Sequence, residues 1–303
     1  MSIIVPCHNE ESTIDLFHAA MMQLASNMQE VTFEYIFIDD GSKDKTFHKI
    51  SALHESCSNV KGLSFSRNFG KEAAIFAGLH AATGDCCVVM DADLQHPPES
   101  IPEMYHLWKQ GYDIIEGIKS KRGKESVVHG LFARTFYALM SKLMGIDMSD
   151  SSDFKLLDRK VIDTLCQLQE RNTFFRALTF WAGYKSTSIT YEVQERVAGT
   201  TKWSAKSLMK YALRNLVSFS YVPLYFISVI GFFILAFGLF LGIDALITFA
   251  HGTAIDGYPS LILMLTLSTG GIMLSLGIVG IYIAKIYDEI KQRPQYIIRD
   301  ILN

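Results

Sequence analysis

The most informative segment of the chain reads Cys86-Cys87-Val88-Val89-Met90-Asp91-Ala92-Asp93-Leu94-Gln95-His96-Pro97-Pro98. The short apolar run 86–90 predicts a buried strand. Asp91 and Asp93 follow directly where that strand ends. Because open α/β sheets bind ligands outside the carboxyl ends of their parallel strands, these carboxylates are in the position of a binding site. The segment therefore predicts an α/β domain with an acidic site at one sheet edge.

The surrounding residues 2–117 continue this pattern by alternating β-branched runs with amphipathic stretches, which favours a parallel sheet covered by helices. Between the first two runs, apolar residues recur at helical spacing at Ile14, Phe17, Met21, Leu24 and Met28. One face of a helix is therefore expected to pack on the sheet. The expected strands are Ile3–Val5, Phe33–Ile38, Gly62–Phe65, Cys86–Met90, Asp113–Glu116 and, further along, one near Ser188–Gln194. This order predicts a Rossmann-like core.

Composition limits the classes of function. The chain has 303 residues and a net charge of -3, which argues against a general nucleic-acid-binding protein. Its five cysteines show no C-x-x-C spacing, so we expect neither a disulfide framework nor a zinc site. The N-terminal sequence lacks the basic and apolar regions of a signal peptide, and we expect the first domain to stay in the cytoplasm.

Two long apolar stretches, about Pro223–Ala250 and Ser260–Ala284, each exceed the roughly 20 residues that cross a bilayer. Lys and Arg flank the pair and are missing between its members, so the positive-inside rule predicts a hairpin of two transmembrane helices with both termini in the cytoplasm. The preceding segment 204–221 is amphipathic and basic, as in helices that lie on anionic membranes. The predicted layout is a catalytic domain at 1–203, an amphipathic helix at 204–221, two transmembrane helices at 222–287 and a cytoplasmic tail at 288–303.

Asp91 and Asp93 are separated by one residue, and both can reach one divalent cation and a diphosphate. Carboxylate oxygens are the ligands that Mg²⁺ and Mn²⁺ prefer, and such an ion neutralises the charge on a departing nucleotide diphosphate. A bare D-x-D pattern is common in proteins of many functions. The strand before it and the motifs described next give it weight.

Two further polar segments follow expected strands. Ile38–Asp44 reads I-D-D-G-S-K-D, where Asp39 or Asp40 could accept from a base N–H or a ribose hydroxyl and Gly41 permits a tight turn. Alone, this segment is equally consistent with a turn rich in helix-capping residues. Val5–Glu11 reads V-P-C-H-N-E-E and places Pro6, Asn9 and Glu10 beside the same edge. Three strand ends are thus expected to converge on one crevice.

With these motifs the sequence resembles the inverting glycosyltransferase family 2, whose members carry V-P-x-x-N-E, D-D-G-S-x-D and a D-x-D after the fourth strand. It looks most like the branch that uses polyprenyl phosphates, which includes dolichyl-phosphate mannose synthases and bactoprenol glucosyltransferases. The resemblance covers essentially the whole chain, and its further segments are Ser66–Glu72, Asp91–Pro98, Ser152–Arg159, Glu195–Lys202 and the C-terminal Arg293–Ile298.

This resemblance implies a fold of the GT-A type and a divalent cofactor, Mg²⁺ or Mn²⁺. The implied site residues are Pro6, Asn9, Glu10, Asp39, Asp40, Asp91 and Ala92 for the donor nucleotide, Asp93 and Asp153 for catalysis, Asp93 with Asp91 as a second candidate for the metal, and Lys155, Arg196, Lys202 and Arg134 for the acceptor phosphate or donor diphosphate. Asp153 is implied either as a base or as a group that orients the acceptor. Lys155 stands where many relatives carry Arg, which puts a bidentate phosphate contact in doubt.

The implied activity is inverting transfer of a hexose from a nucleotide sugar to undecaprenyl or another polyprenyl phosphate at the cell membrane, for modification of cell-envelope glycans. UDP-glucose is the favoured donor and UDP-N-acetylglucosamine the alternative. The competing hypotheses are a processive polysaccharide synthase, which usually carries a Q-x-x-R-W motif that this chain lacks, and an inactive membrane scaffold or lipid translocator. Small residues at Gly238 and Gly242, and at Gly271 and Ser275, would allow membrane helices to approach closely and the chain to self-associate.

Overall fold

The computed structural model describes residues 1–120, 152–168, 170, 174–192 and 258–303, together with single helical residues between 227 and 251. It divides into two compact units, Met1–Ser204 with Arg293–Asn303, and Ala205–Gln292. The first unit contains the sheet and the candidate site. The amphipathic segment 204–221 lies outside the described residues, so its helix and the layout built on it stay predictions.

Strands and helices alternate along the first unit. In chain order the elements are β1 (Ser2–Cys7), α1 (Ile14–Asn27), β2 (Glu34–Asp39), α2 (Thr46–Ser56), β3 (Val60–Phe65), α3 (Lys71–Ala81), β4 (Cys86–Val89), a 3-10 turn (Pro98–Ser100), α4 (Ile101–Lys109), β5 (Ile114–Lys119), β6 (Lys155–Asp158), α5 (Arg159–Gln167), α6 (Phe175–Trp181), β7 (Ser186–Tyr191), and, after α7 of the second unit (Tyr258–Ile290), β8 (Ile298–Leu302). The expected strands are confirmed, with ends that differ by a few residues.

The sheet is mixed, so the parallel sheet expected for residues 2–117 is confirmed for β1 to β4 and is wrong for the pairing of β5 with β6. Its order is β7-β5-β6-β4-β1-β2-β3-β8. Strands β4, β1, β2 and β3 are parallel neighbours, whereas β6 runs antiparallel between β4 and β5, and β8 runs antiparallel beside β3. A four-residue strand such as Lys155–Asp158 carries no local sign of its direction, because direction depends on pairing with strands far away in the chain.

The core confirms the predicted face of α1. Ile14, Phe17, Met21, Leu24 and Met28 are all buried against the sheet. Phe17 meets Phe37 of β2 edge-to-face at 5.9 Å between ring centroids, a favourable geometry for aromatic pairs.

On the opposite face of the sheet, α3 packs against β1 at Gly78. A side-chain carbon at this position would collide with Ile4 and with Ile38. The absence of a side chain at Gly78 therefore lets α3 lie directly on the two central strands. This close approach fixes where the N-terminal end of α3 meets the edge of the sheet.

Residues 298–302, which were expected to belong to a separate tail, form β8 at the edge of this sheet. Leu63 is paired with Ile301, and Ser64 with Asp300. The strand covers backbone groups of β3 that would otherwise be exposed at the sheet edge. The last residues of the chain thus belong to the fold of the first unit.

The second unit contains α7, which is 33 residues long. Its Leu267–Ile290 part spans 24 residues with a mean hydropathy of 1.8, which by length and composition is enough to cross a membrane. Within the described part of the chain this is the one helix that meets that criterion. Most of the first expected span, Pro223–Ala250, lies outside the described residues, so the two-helix hairpin is not confirmed.

Candidate active site

The loops that follow β1, β2 and β4 meet at one edge of the sheet, as expected for the carboxyl ends of parallel neighbours. The pKa of Cys7, the last residue of β1, reflects this convergence. Burial raises the pKa of its thiol well above the ordinary value, and the carboxylates of Glu10, Asp39 and Asp91 raise it further. Acidic groups from three separate loops therefore surround the end of one strand. All five cysteines are free.

The loops after β1 and β2 are bonded to each other. Asn9 has a positive φ of 56°, its N–H donates to Ser42 Oγ at 2.9 Å, and its Oδ1 accepts from the N–H of Lys43 at 2.9 Å. The N–H of Glu10 donates to Thr46 Oγ1 at 2.8 Å. Asn is one of the few residues that tolerates a left-handed backbone, so Asn9 suits the turn. The structure thus gives Asn9 a role in shaping the loops.

Asp39 and Asp40 are both buried and bonded to protein groups. Asp39 accepts from the N–H of Ser42 at 3.0 Å and from Ser64 Oγ at 2.8 Å. Asp40 accepts from the backbone N–H groups of Phe69 at 2.6 Å and Gly70 at 3.0 Å. Burial raises the pKa of Asp40 even though these two bonds act to lower it. We call Asp39 and Asp40 the backbone-held pair.

Gly41 follows this pair with a φ of 62°. A side-chain carbon here would also run into the backbone of Arg67 and Asn68. The expected need for glycine at this turn is confirmed, and its reason includes a neighbour that the sequence did not indicate. The turn after β2 and the loop after β3 are in direct backbone contact.

A second group of charges joins the D-x-D loop to the segment before β6. Lys71 Nζ lies 2.7 Å from Asp91 Oδ1 and 2.8 Å from Asp153 Oδ2, and Arg176 Nε lies 2.6 Å from Asp153 Oδ1. We call Lys71, Asp91, Asp153 and Arg176 the ion-paired cluster. It brings together residues of four different segments, two of which, Asp91 and Asp153, the sequence had singled out.

The cluster keeps its carboxylates ionised. Burial acts to raise the pKa of Asp153, but Arg176 and Lys71 outweigh it and hold that pKa well below the ordinary value. For Asp91, burial is likewise outweighed, chiefly by Lys71, and its pKa is lowered. Burial opposes the charged form of Lys71, yet Asp153 and Asp91 raise its pKa. At neutral pH the cluster is therefore fully charged.

Glu72 lies beside this cluster in the first turn of α3. Burial and the charge of Asp153 raise the pKa of Glu72 to about 7, against the opposing effects of the N–H of Phe175 and of Arg176. The N–H of Phe175 donates to Glu72 Oε2 at 2.9 Å. Glu72 is thus a carboxyl group that changes charge near neutral pH.

Asp93 stands at the tip of the D-x-D loop, where its Oδ1 accepts from the N–H of Gln95 at 3.1 Å. Among the described residues, no group of three or more His, Cys, Asp or Glu side chains converges as a metal site. The protein's oxygens at this loop come from Asp93 and Asp91. They fit a hard divalent ion whose remaining ligands are diphosphate oxygens and water.

An aromatic platform supports the D-x-D loop. The ring of buried His96 stacks on Phe154 at 4.9 Å, and Tyr191 meets both rings edge-on at 5.8 and 5.4 Å. His96 Nδ1 accepts the N–H of Asp91 at 3.2 Å. Burial lowers the pKa of His96, so the ring is neutral. The platform therefore connects the backbone of Asp91 with Phe154, the neighbour of Asp153. In the described part of the chain, the buried Tyr191 hydroxyl has no hydrogen-bond partner.

Lys155 is 3% exposed, and its Nζ lies 2.6 Å from Glu116 Oε1. Glu116 also accepts the N–H of Ser152 at 2.9 Å. Burial lowers the pKa of Lys155, although Glu116 opposes this. The Lys155 amine, which was expected to meet an acceptor phosphate, is thus paired with Glu116 of β5. The phosphate contact stays a prediction.

Of the other expected site residues, Pro6 pairs with Ile38 within the sheet, and Ala92 is buried in the core beneath the loop. Arg134, Arg196 and Lys202 lie outside the described residues.

No role in the site was predicted from the sequence for five residues that the structure places there: Lys71, Glu72, His96, Glu116 and Arg176. Lys71 and Glu72 lie within a segment that carried the family resemblance, and this was a signal that they belong to the site. Arg176 lies in α6, which had no such mark. Only the folded chain brings its guanidinium to Asp153.

Comparison with known proteins agrees with this fold. Residues 2–166 match the model of glycosyl transferase family 2. The chain is 39% identical to the glycosyltransferase YkcC of Bacillus subtilis over 98% of this chain and 93% of that protein. It is 36% identical to a prophage bactoprenol glucosyl transferase homolog of Escherichia coli over 99% of this chain and 98% of that protein.

Among solved structures, glucosyl-3-phosphoglycerate synthase from Mycobacterium tuberculosis, in complex with Mn²⁺, UDP and phosphoglyceric acid, has a TM-score of 0.51 at 18% identity and covers 71% of this chain and 75% of its own. This similarity supports the GT-A α/β fold with its mixed sheet. Together with the family match and the full-length relatives, it shows that the chain is a glycosyltransferase and belongs to glycosyltransferase family 2.

Proposed function

We propose that this enzyme transfers a sugar from a nucleotide sugar to a polyprenyl phosphate at a membrane. The observation that carries the proposal is the ion-paired cluster, in which Lys71 bridges Asp91 of the D-x-D loop and Asp153 of the segment expected to face the acceptor. The full-length similarity to bactoprenol glucosyl transferases supports a lipid phosphate acceptor. The apolar helix α7 supports a membrane location.

The reaction is a single in-line displacement. An oxygen of the acceptor phosphate attacks the anomeric carbon, the bond from that carbon to the nucleotide diphosphate breaks, and the diphosphate leaves with the bonding electrons. A phosphate monoester has its second ionisation near about 6, so the nucleophile is already anionic at neutral pH. Catalysis then comes mainly from alignment and from stabilisation of charge on the leaving group.

Asp153 acts in this mechanism as an orienting group. Arg176 and Lys71 hold its pKa far below neutrality, which makes it a poor proton acceptor. Its two oxygens are directed by the same two cations. These cations also lower the net negative charge of the crevice, into which two phosphate-bearing substrates must enter.

Asp93, with Asp91 as the second candidate, would hold a divalent ion, Mg²⁺ or Mn²⁺. When bound, such an ion supplies charge stabilisation for the nucleotide diphosphate. Asp91 is already paired with Lys71, so Asp93 is the better protein ligand. The backbone-held pair, with Pro6, Asn9, Glu10 and Ala92, shapes the pocket for the nucleotide. Lys155, Arg134, Arg196 and Lys202 are the proposed phosphate contacts.

UDP-glucose is the proposed donor, because the chain is similar along its whole length to proteins named as glucosyl transferases. UDP-N-acetylglucosamine is the alternative. We further propose that α7 is the second helix of a transmembrane hairpin, that both termini face the cytoplasm, and that the chain self-associates through its small-residue positions.

The test is a panel of radiolabelled nucleotide sugars incubated with the purified protein and undecaprenyl phosphate, followed by thin-layer separation of the lipid products. A single labelled lipid-phosphate sugar is expected, with UDP-glucose the best donor. A polymer would support a processive synthase. No product from any donor would support a scaffold or lipid translocator. NMR of the product should show a β linkage formed from an α-linked donor, and retention of the α configuration would contradict the single displacement.

A further inference from the structure

The C-terminal segment Gln295–Leu302 reaches the donor-side loops through a polar route. Arg299 Nη2 donates to Ser64 Oγ at 3.0 Å, and Ser64 Oγ donates to Asp39 Oδ2 at 2.8 Å. Ser64 is fully buried in β3. Two successive hydrogen bonds therefore connect a side chain near the end of the protein with the backbone-held pair.

A second route consists of aromatic rings. Tyr296 stacks on Phe65 with 5.0 Å between ring centroids and 12° between ring planes. Phe65 meets Phe69 edge-on at 5.8 Å. The N–H of Phe69 donates to Asp40 Oδ1 at 2.6 Å. The same C-terminal segment is thus connected to both members of the backbone-held pair, to Asp39 through Ser64 and to Asp40 through Phe65 and Phe69.

Backbone pairing secures the segment at the position where the loop 66–70 begins. Ser66 N–H donates to the carbonyl of Ile297 at 3.0 Å, directly after the ladder between β3 and β8. The pairing shifts register between Ser64 and Phe65, and such an irregularity changes how a strand aims the residues that follow. The direction in which the loop leaves β3 is therefore set partly by β8.

We propose that the C-terminal segment is a positioning element for the donor site, and that Arg299 and Tyr296 hold the loops that carry Asp39 and Asp40 in the geometry that binds the nucleotide. That these loops bind the sugar donor rests on the proposed function, whereas their ordering by the C-terminal segment does not. Residues 291–294 join α7 directly to this element. The chain that leaves the apolar helix is therefore the same chain that orders the donor-side loops.

Hydrogen–deuterium exchange of the full-length protein in detergent tests the ordering of the loops. Arg299→Ala should speed exchange in the peptide that covers Ser42, whose N–H donates to Asp39, and Tyr296→Ala should speed exchange in the peptide that covers Phe69 and Gly70. Each change should be about fivefold, the factor for one lost hydrogen bond or ring contact. Tyr296→Phe keeps the ring and should exchange like the original protein. Ile301→Thr is the control in β8, because the Ile301 side chain is 54% exposed. This variant should leave exchange in both peptides unchanged.

Two results would overturn the proposal. One is unchanged exchange at Ser42 in Arg299→Ala together with unchanged exchange at Phe69 and Gly70 in Tyr296→Ala. The other is faster exchange that extends equally to α5, a helix that packs against β4 and β6 and is distant from β8 in the strand order. Such a result would indicate a general loss of stability.

Steady-state kinetics give the functional measurement. Arg299→Ala should raise KM for the nucleotide sugar about fivefold and change kcat by less than about twofold, and Arg299→Lys should recover part of the loss. A fall in kcat with an unchanged KM would contradict a donor-side role. If the original protein transfers no sugar from any donor, the proposed function fails, and the exchange experiment still decides whether the segment orders the loops.

Discussion

The two acidic groups at the sheet edge differ in what holds them. Asp39 and Asp40 accept hydrogen bonds from backbone N–H groups and a serine hydroxyl. Asp91 and Asp153 are instead held by the charged ends of Lys71 and Arg176. Backbone donors fix the shape of a loop, whereas long cationic side chains can shift towards an arriving phosphate. We infer that the first pair builds the pocket and that the ion-paired cluster takes part in the reaction.

Asp93→Asn is expected to have the largest effect. Asp93 lies in the same D-x-D loop as Asp91 of the ion-paired cluster. Loss of the carboxylate that would hold the divalent ion should reduce kcat by about a thousandfold or more. The melting temperature should stay unchanged, because Asp93 lies in a loop at the surface of the sheet edge. Sugar transfer to undecaprenyl phosphate, measured across a series of Mn²⁺ concentrations, checks this. Turnover at the original rate would remove Asp93 from the metal site.

Asp153→Ala should slow transfer by about a hundredfold to a thousandfold, because the orienting carboxylate is lost and Lys71 and Arg176 lose a shared partner. It should also cost about 3 kcal/mol in the free energy of unfolding, the usual result of breaking a buried ion pair.

Calorimetry with UDP tests whether Asp153 acts on the donor or on the acceptor. The affinity of Asp153→Ala for UDP should remain within about twofold of the original value. Asp163→Ala is a suitable control, since that carboxylate is 57% exposed in an i,i+4 ion pair, and it should behave like the original protein. Weakened UDP binding in Asp153→Ala would move this residue to the donor side.

Asp40→Asn tests the backbone-held pair and should have an intermediate effect. The amide NH₂ would face one of the two N–H groups of Phe69 and Gly70, so one hydrogen bond is lost and a donor faces a donor. The expected cost is about 1–2 kcal/mol of unfolding free energy together with a higher KM for the nucleotide sugar. Chemical denaturation and steady-state kinetics measure the two quantities. A large fall in kcat without a change in KM would erase the distinction between the two acidic groups.

Glu72→Gln should have the smallest effect, and it depends on pH. The pKa of Glu72 in the folded protein is about 7, against 4.5 as the ordinary value. The folded state therefore binds the proton more tightly than the unfolded state, and the contribution of Glu72 to stability falls as the pH rises through this interval. The neutral amide removes that loss.

The advantage of Glu72→Gln should accordingly grow from near zero at about pH 4.5 to a rise of several degrees in melting temperature at about pH 8. Thermal unfolding followed by circular dichroism at both pH values checks the sign. An advantage that is larger in acid would mean that the pKa of Glu72 is not raised.

Much of the site follows from short sequence patterns. Asp91 and Asp93 directly follow an apolar run, so their place at the end of a strand could be predicted from local preferences. The same holds for Asp39, Asp40 and the need for glycine at Gly41. These conclusions depend on residues close together in the chain, where the strand period and turn chemistry act.

The partners of these residues could not be predicted in this way. Arg176 meets Asp153 across the gap between α6 and the segment before β6, and the stacking of His96 on Phe154 also crosses from one element to another. The direction of β6 and the use of Ile298–Leu302 as an edge strand depend equally on distant pairing. No window of sequence contains both members of such contacts.

By itself the sequence determined the α/β alternation, the acidic residues at strand ends, the apolar character of α7 and the family to which the chain belongs. Local backbone preference and hydrophobic period are properties of neighbouring residues, so they can be recognised before folding. Only the tertiary structure decided that Asp39 and Asp40 are held by backbone N–H groups and a serine hydroxyl while Asp91 and Asp153 share cations, and that the C-terminal segment contacts β3 and the loop after it. Those outcomes require side chains from distant segments to meet, and their geometry exists only once the sheet has assembled.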